Sequence, residues 1–138
     1  MLHRFIVLDM DRTLFDTAEY AAVLMEALGL TDNELVAVKK IVEREYGRNF
    51  DLLGHLMTLK KVDYKTACKR IMNRAKKHSE TLLMPGVAGL IAALDETGDS
   101  YGILTTGTTD NQSLKLSVLR DLLGKDEKSL PAEITAVS

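Results

Sequence analysis

Two aspartates one residue apart, Asp9 and Asp11, stand at the exit of an apolar run, Phe5-Ile6-Val7-Leu8. Side chains alternate along an extended chain, so both carboxylates point one way while Met10 turns back into the protein. Like charges held that close repel unless a cation lies beside them or one keeps a proton. The pair therefore points to a divalent metal, to acid–base chemistry, or to both. A calcium loop starting at Asp9 needs Gly at its sixth position and Glu at its twelfth. Leu14 and Tyr20 occupy those positions, which excludes it.

A second apolar strand, Tyr101-Gly102-Ile103-Leu104, runs into Thr105-Thr106-Gly107. By itself Thr-Thr-Gly reads as a turn after a strand. A hydroxyl and adjacent amides close to a helix N-terminus also favour an anion. Together, the strand-terminal acid pair and this second strand end resemble the first and second sequence motifs of the haloacid dehalogenase superfamily, most of whose members are magnesium-dependent phosphatases. The resemblance runs from Arg4 to about Leu123. It implies that Asp9 is a nucleophile that becomes an aspartyl-phosphate, and that Asp11 is the general acid and then the general base. It further implies that Thr105, with the N–H groups of Thr106 and Gly107, holds the phosphoryl group. Mg²⁺ is the implied cofactor, bound by Asp9 and the backbone carbonyl of Asp11, and a small phosphorylated molecule is the implied substrate. Dehalogenases of the superfamily lack an acid at the second position and P-type ATPases carry Thr there, so Asp11 favours a phosphatase or phosphomutase.

The chain departs from the family pattern. A third-motif Lys and a fourth-motif Asp are not found. Lys125 and Lys128 fall in a charged loop and read as solvent exposed. Gln112 and Lys115, on adjacent turns of the helix after the second motif, read as surface or local hydrogen-bonding residues without a catalytic role. The preferred expectation is the N-terminal portion of a longer phosphatase. The alternative is a shortened, catalytically silent protein acting as a binding or oligomerisation module. With no neighbouring strand to cover it, the first strand would form an open edge, so a homodimer through that edge is expected.

The elements that must position these residues are legible from periodicity. After Thr13 the pattern turns helical. Residues 18–28 place Ala21, Leu24, Met25 and Leu28 on one face, and Gly29 stops that helix. Thr31-Asp32-Asn33-Glu34 is a capping box; its helix carries Leu35, Val38, Ile41 and Val42 inward and ends near Tyr46-Gly47. A third helix spans 51–60, and Asp63 caps a fourth with Ala67, Ile71 and Ala75 on one stripe. Met84-Pro85-Gly86 leads into a helix with Val87, Leu90, Ile91 and Leu94, closed by Gly98. A helix over 111–123 ends at Gly124, and 130–137 reads as a short third strand. This order predicts an α/β fold: a Rossmann-like parallel sheet core of three strands with an inserted α-helical cap. The core comprises 1–16 and 81–138, the helical cap 17–80. That such a block is a cap over the strand ends comes from the resemblance.

A hydrophobic content of 46% and a mean hydropathy of −0.03 fit a soluble globular chain. No stretch approaches the roughly 20 apolar residues of a membrane-spanning helix, and the first apolar run is too short for a signal-peptide core. The single cysteine, Cys68, excludes an internal disulfide, reads as packing, and fits a cytoplasmic location. His3, His55 and His78 match no metal-ligand spacing. Net charge is −2, yet residues 39–77 hold twelve Lys/Arg against four Asp/Glu, a local balance of +8. That segment could steer a phosphorylated molecule or form a solvated outer face. Nucleic-acid binding is disfavoured by a pI of 5.9 and few aromatics.

Overall fold

The computed structural model describes residues 4–45 and 50–136. Its frame is a three-stranded parallel sheet in the order β1 (Phe5–Leu8), β2 (Ser100–Gly107), β3 (Ala132–Ala136). Phe5 lies opposite Ser100 and Leu8 opposite Ile103, while Ile103 pairs with Ala132 and Gly107 with Ala136. Parallel neighbours cannot be joined by a tight hairpin, and both crossovers here are helical. Between β1 and β2 come α1 (Thr17–Ala27), α2 (Asp32–Arg44), α3 (Leu52–Lys60), α4 (Tyr64–Ala75), a 3₁₀ turn at Lys76–His78, α5 (Ser79–Leu82) and α6 (Val87–Thr97). Between β2 and β3 lies α7 (Thr109–Leu123). The expected α/β fold, three parallel strands with a helical segment after the first, is the fold observed.

Local chemistry explains most helix starts. Asp16, Thr31, Asp51 and Asp63 each accept a backbone N–H of the first turn that has no partner inside its helix. The Thr31–Glu34 box is complete: Thr31 Oγ1 accepts from Glu34 N at 3.2 Å, and Glu34 Oε1 accepts from Thr31 N at 2.9 Å. Gly98 and Gly124 end their helices at φ 73° and 66°, a conformation a Cβ disfavours.

Three expectations need adjustment. β2 does not stop at Leu104: Thr105, Thr106 and Gly107 pair with Ile134, Thr135 and Ala136, so the Thr-Thr-Gly segment is strand, and α7 begins at Thr109. Hydrogen bonds to β3, invisible to local propensity, extend it. On α2 only Val38 is fully buried, Leu35 and Val42 pack half-buried against the core and Ile41 is half-buried, while Leu90 on α6 is exposed. α2 ends at Arg44 with Glu45 as its cap. The end expected near Tyr46-Gly47, Val137 of the third strand and His3 lie outside the described residues.

One buried cluster ties the helical segment to the sheet. It joins Leu24 of α1, Leu53 of α3 and Ile71 of α4 to Ile103 of β2 and Leu119 of α7. Each such side chain contributes about 1.5–3 kcal/mol through removal from water. Cys68 packs partly buried against this cluster. The other sheet face is open: Phe5 is 62% exposed, Val7 59% and Leu104 47%. No helix among the described residues is long and apolar enough to cross a membrane.

Candidate active site

The segment leaving β1 is a tight loop pinned from inside. Met10 is fully buried, and its carbonyl accepts from Leu14 N at 3.0 Å and Phe15 N at 3.1 Å. Buried Leu14 and Phe15 close the loop over the core. The reversal places Arg12 at φ 63°, a left-handed conformation costing a non-glycine residue about 1 kcal/mol. With Met10 turned inward, Asp9 emerges exposed and Asp11 half-buried. Thr13 Oγ1 donates to Asp9 Oδ2 at 3.0 Å, and Thr17 Oγ1 donates to Asp11 Oδ1 at 3.2 Å.

Gln112 and Lys115 are not surface residues. They are 2% and 6% exposed, and both reach the acid loop. Lys115 Nζ donates to Asp11 Oδ1 at 2.8 Å. Gln112 Nε2 donates to Asp11 Oδ2 at 3.1 Å and to Thr105 Oγ1 at 2.7 Å, and Thr105 is itself buried. Gln112 thus joins the two motifs that the sequence places almost a hundred residues apart. A signal was present: residues 112, 115, 116 and 119 form one i, i+3, i+4, i+7 stripe with Leu116 and Leu119, so two polar residues sit on the core-facing side of α7. Lys125 also departs from the solvated reading, since its ammonium pairs with Asp95 and its side chain is largely covered.

Electrostatics follow from this geometry. Burial, the largest single influence, pushes the Asp11 carboxyl up, but the Lys115 charge and the hydrogen bonds from Lys115, Gln112 and Thr17 together outweigh it. The net shift is downward, so Asp11 is held as a carboxylate. Lys115 Nζ also lies 5.4 Å from the centroid of the Tyr20 ring, whose negative face favours a cation.

Beside this cluster opens a cavity of about 490 Å³. Asp11, Gln112 and Lys115 line it together with Thr106 and Gly107, and Leu24, Val42, Phe50 and Leu52 supply an apolar wall. Asp9 and Thr105 do not line it. Asp9 therefore stands at the strand end outside the cavity lining, with its Thr13 contact, while Asp11 and Thr105 are brought together by Gln112. Tyr20 Oη, Thr108 Oγ1 and Asn111 Oδ1 are buried without a hydrogen-bond partner, and all three residues line the cavity. No Lys or Arg of 39–77 among the described residues lines it; Arg12 and Lys115 do. Within that basic segment Lys60 pairs with Glu34 and Arg74 with Glu26.

Among the described residues no group of three His, Cys, Asp or Glu side chains gathers as a metal site. Magnesium asks for less, because it keeps several waters and takes one or two carboxylates together with substrate phosphate oxygens. An exposed carboxylate at a strand end with one oxygen steadied by a hydroxyl, as in Asp9, is a donor of the right hardness. The residues present fit that ion.

Parallel strands with helical crossovers define a Rossmann-like α/β protein, with the candidate site, an acid pair and a cavity, at the carboxyl edge of the sheet. Residues 6–122 match the model of the family described as haloacid dehalogenase-like hydrolase. The chain belongs to that family. Among solved structures it is similar to the HAD-type protein YfnB from Bacillus subtilis bound to magnesium (18% identity, TM-score 0.51, covering 99% of this chain and 64% of that one). It is also similar to CbbY from Rhodobacter sphaeroides in complex with phosphate (17%, TM-score 0.50, 98% and 64%). A hydrolase from Pseudomonas syringae shares 21% identity at a TM-score of 0.42, over 99% and 63%. At these identities the likeness speaks to fold alone. The chain spans less than two thirds of the length of each of these structures. No curated protein sequence matches it.

Proposed function

We propose that this chain carries the phosphoryl-transfer site of a magnesium-dependent phosphatase acting on small phosphate esters. The observation that carries the reading is the double hydrogen bond of Gln112, which holds Asp11 and Thr105 in one cluster beside a cavity. Asp9 attacks phosphorus: an Asp9 oxygen–phosphorus bond forms as the ester P–O bond breaks, and the departing alcohol takes the proton of the monoanionic ester, relayed through the Asp11 carboxylate. Water then attacks the aspartyl-phosphate, its proton passing to Asp11, which releases phosphate and restores Asp9. A carboxylate is ionised at neutral pH and needs no base to activate it. Thr13, donating to Oδ2, fixes the carboxylate plane. Thr105 Oγ1 and the amide of Thr106, which points away from β3 beside the N-terminus of α7, hold the phosphoryl oxygens, while the Gly107 amide is engaged by β3. Mg²⁺, held by Asp9 and the Asp11 carbonyl, would offset the repulsion between nucleophile and phosphate.

The cavity volume suits a small molecule. Its unpaired Tyr20, Thr108 and Asn111 atoms favour a leaving alcohol that carries further hydroxyls, and its apolar wall covers the rest. The helical segment 17–80 acts as the cap, contributing Leu24, Val42, Phe50 and Leu52 over the strand ends. The deciding experiment is hydrolysis of an aryl phosphate with and without Mg²⁺, compared between wild type and Asp9→Asn. Mg²⁺-dependent turnover lost in Asp9→Asn supports the reading; no turnover by wild type favours a binding module instead.

A further inference from the structure

We propose that Lys115 is a positioning residue that holds Asp11 in place for the second half of the reaction, the breakdown of the aspartyl-phosphate. The inference rests on the phosphatase reading above. Three donors converge on the Asp11 carboxylate: Lys115 Nζ at 2.8 Å, Gln112 Nε2 at 3.1 Å and Thr17 Oγ1 at 3.2 Å. They come from α7 and from the start of α1, so both oxygens are fixed by elements on either side of the cavity. Lys115 is the one donor with a charge, and it is itself braced over the Tyr20 ring. A carboxylate held this way has both oxygens fixed in direction. It is the base that water needs when it attacks the phosphoenzyme, and a base must lie within hydrogen-bond reach in a fixed direction to act. In that step the water O–H bond breaks toward an Asp11 oxygen, the water oxygen bonds to phosphorus, and the P–O bond to Asp9 breaks. An aryl leaving group departs without a proton, so the first half of the reaction makes no such demand.

The two halves separate kinetically. With an aryl phosphate, kcat/KM reports steps up to release of the phenol, whereas kcat also includes phosphoenzyme breakdown. Lys115→Met removes the ammonium while retaining an unbranched side chain of similar reach. Its expected signature is a kcat lowered tenfold or more, on the order of a lost general-base contribution. KM falls in parallel, kcat/KM stays within about twofold by the same kinetics, and aspartyl-phosphate accumulates on acid quench. Lys115→Arg, which keeps a cationic donor, restores part of kcat and lowers that accumulation. Thermal melts run alongside; if Lys115→Met unfolds below the assay temperature, Lys115→Gln is measured in its place with the same expectations. An equal loss in kcat and kcat/KM with no trapped phosphoenzyme would make Lys115 a structural residue and overturn the inference while leaving the phosphatase reading intact. Absence of turnover in wild type overturns both.

Discussion

Lys115 Nζ and Asp11 Oδ1 lie 2.8 Å apart although 104 residues separate them in the chain. The lysine side chain is 8% exposed and the aspartate side chain 30%, so the pair sits at the boundary between core and cavity. Half-buried pairs of this kind are felt most when one partner is removed, because the other charge is then left in a poorly solvated place.

Asp11→Asn should therefore destabilise the fold by about 2 kcal/mol at pH 7, below the range for fully buried pairs because Asp11 still meets water. The folded carboxyl is shifted below its ordinary value by the Lys115 charge and by its three donors, against the opposing push of burial. A depressed acid contributes stability that is present above the unfolded value, about 3.9, and is lost as pH falls through the folded one. Urea unfolding at pH 7, 5 and 3 should show a constant gap between wild type and variant at the upper two and a shrinking gap at the lowest. A gap that stayed unchanged at pH 3 would count against an ionised Asp11.

Gly107 leaves room for Gln112. A Cβ at 107 would stand 2.7 Å from Gln112 Cγ and 2.8 Å from Cδ, so Gly107→Ala must push the amide off Thr105 and Asp11. The expected result is a loss of about 1–2 kcal/mol in stability and a severalfold rise in KM for an aryl phosphate. In a Gln112→Ala background the same change should cost far less, and a double-mutant cycle measures the coupling. Strictly additive effects would show that the amide does not link the two motifs.

Asn111 tests the leaving-group reading. Asn111→Leu removes one of the unpaired polar atoms of the cavity and should raise KM for a polyhydroxylated phosphate ester about tenfold, the scale of one hydrogen bond to a ligand, while leaving phenyl phosphate within twofold. Parallel loss on both esters would point to general damage at the N-terminus of α7.

Lys61 offers a test far from the site. It ends α3 in the left-handed conformation, φ 53° and ψ 48°, and is exposed. Lys61→Gly should raise stability by about 0.5–1 kcal/mol by relieving the Cβ clash. A thermal melt should move upward by a few degrees with turnover unaltered.

Much of this arrangement is legible in short stretches of the chain. Asp9 and Asp11 at a strand exit, the Thr31–Glu34 box and the Ala67/Ile71/Ala75 stripe are local patterns, settled by interactions within about four residues. The parallel order of the sheet also follows, because strands separated by long helical crossovers pair that way. Where β2 ends is not legible, since Thr105, Thr106 and Gly107 are strand through their pairing with residues almost thirty positions later.

The acid pair, the helix caps and the alternation of strand and helix were thus determined by sequence alone, being short-range consequences of charge, hydrogen bonding and side-chain direction. The destinations of Gln112 and Lys115 were decided only by the tertiary structure. Polar side chains on a helix are solvated or buried according to what that helix packs against, and α7 lays them on an acid loop from the opposite end of the chain. A buried ammonium is tolerated there because Asp11 supplies the opposing charge, a fact that no window of neighbouring residues contains.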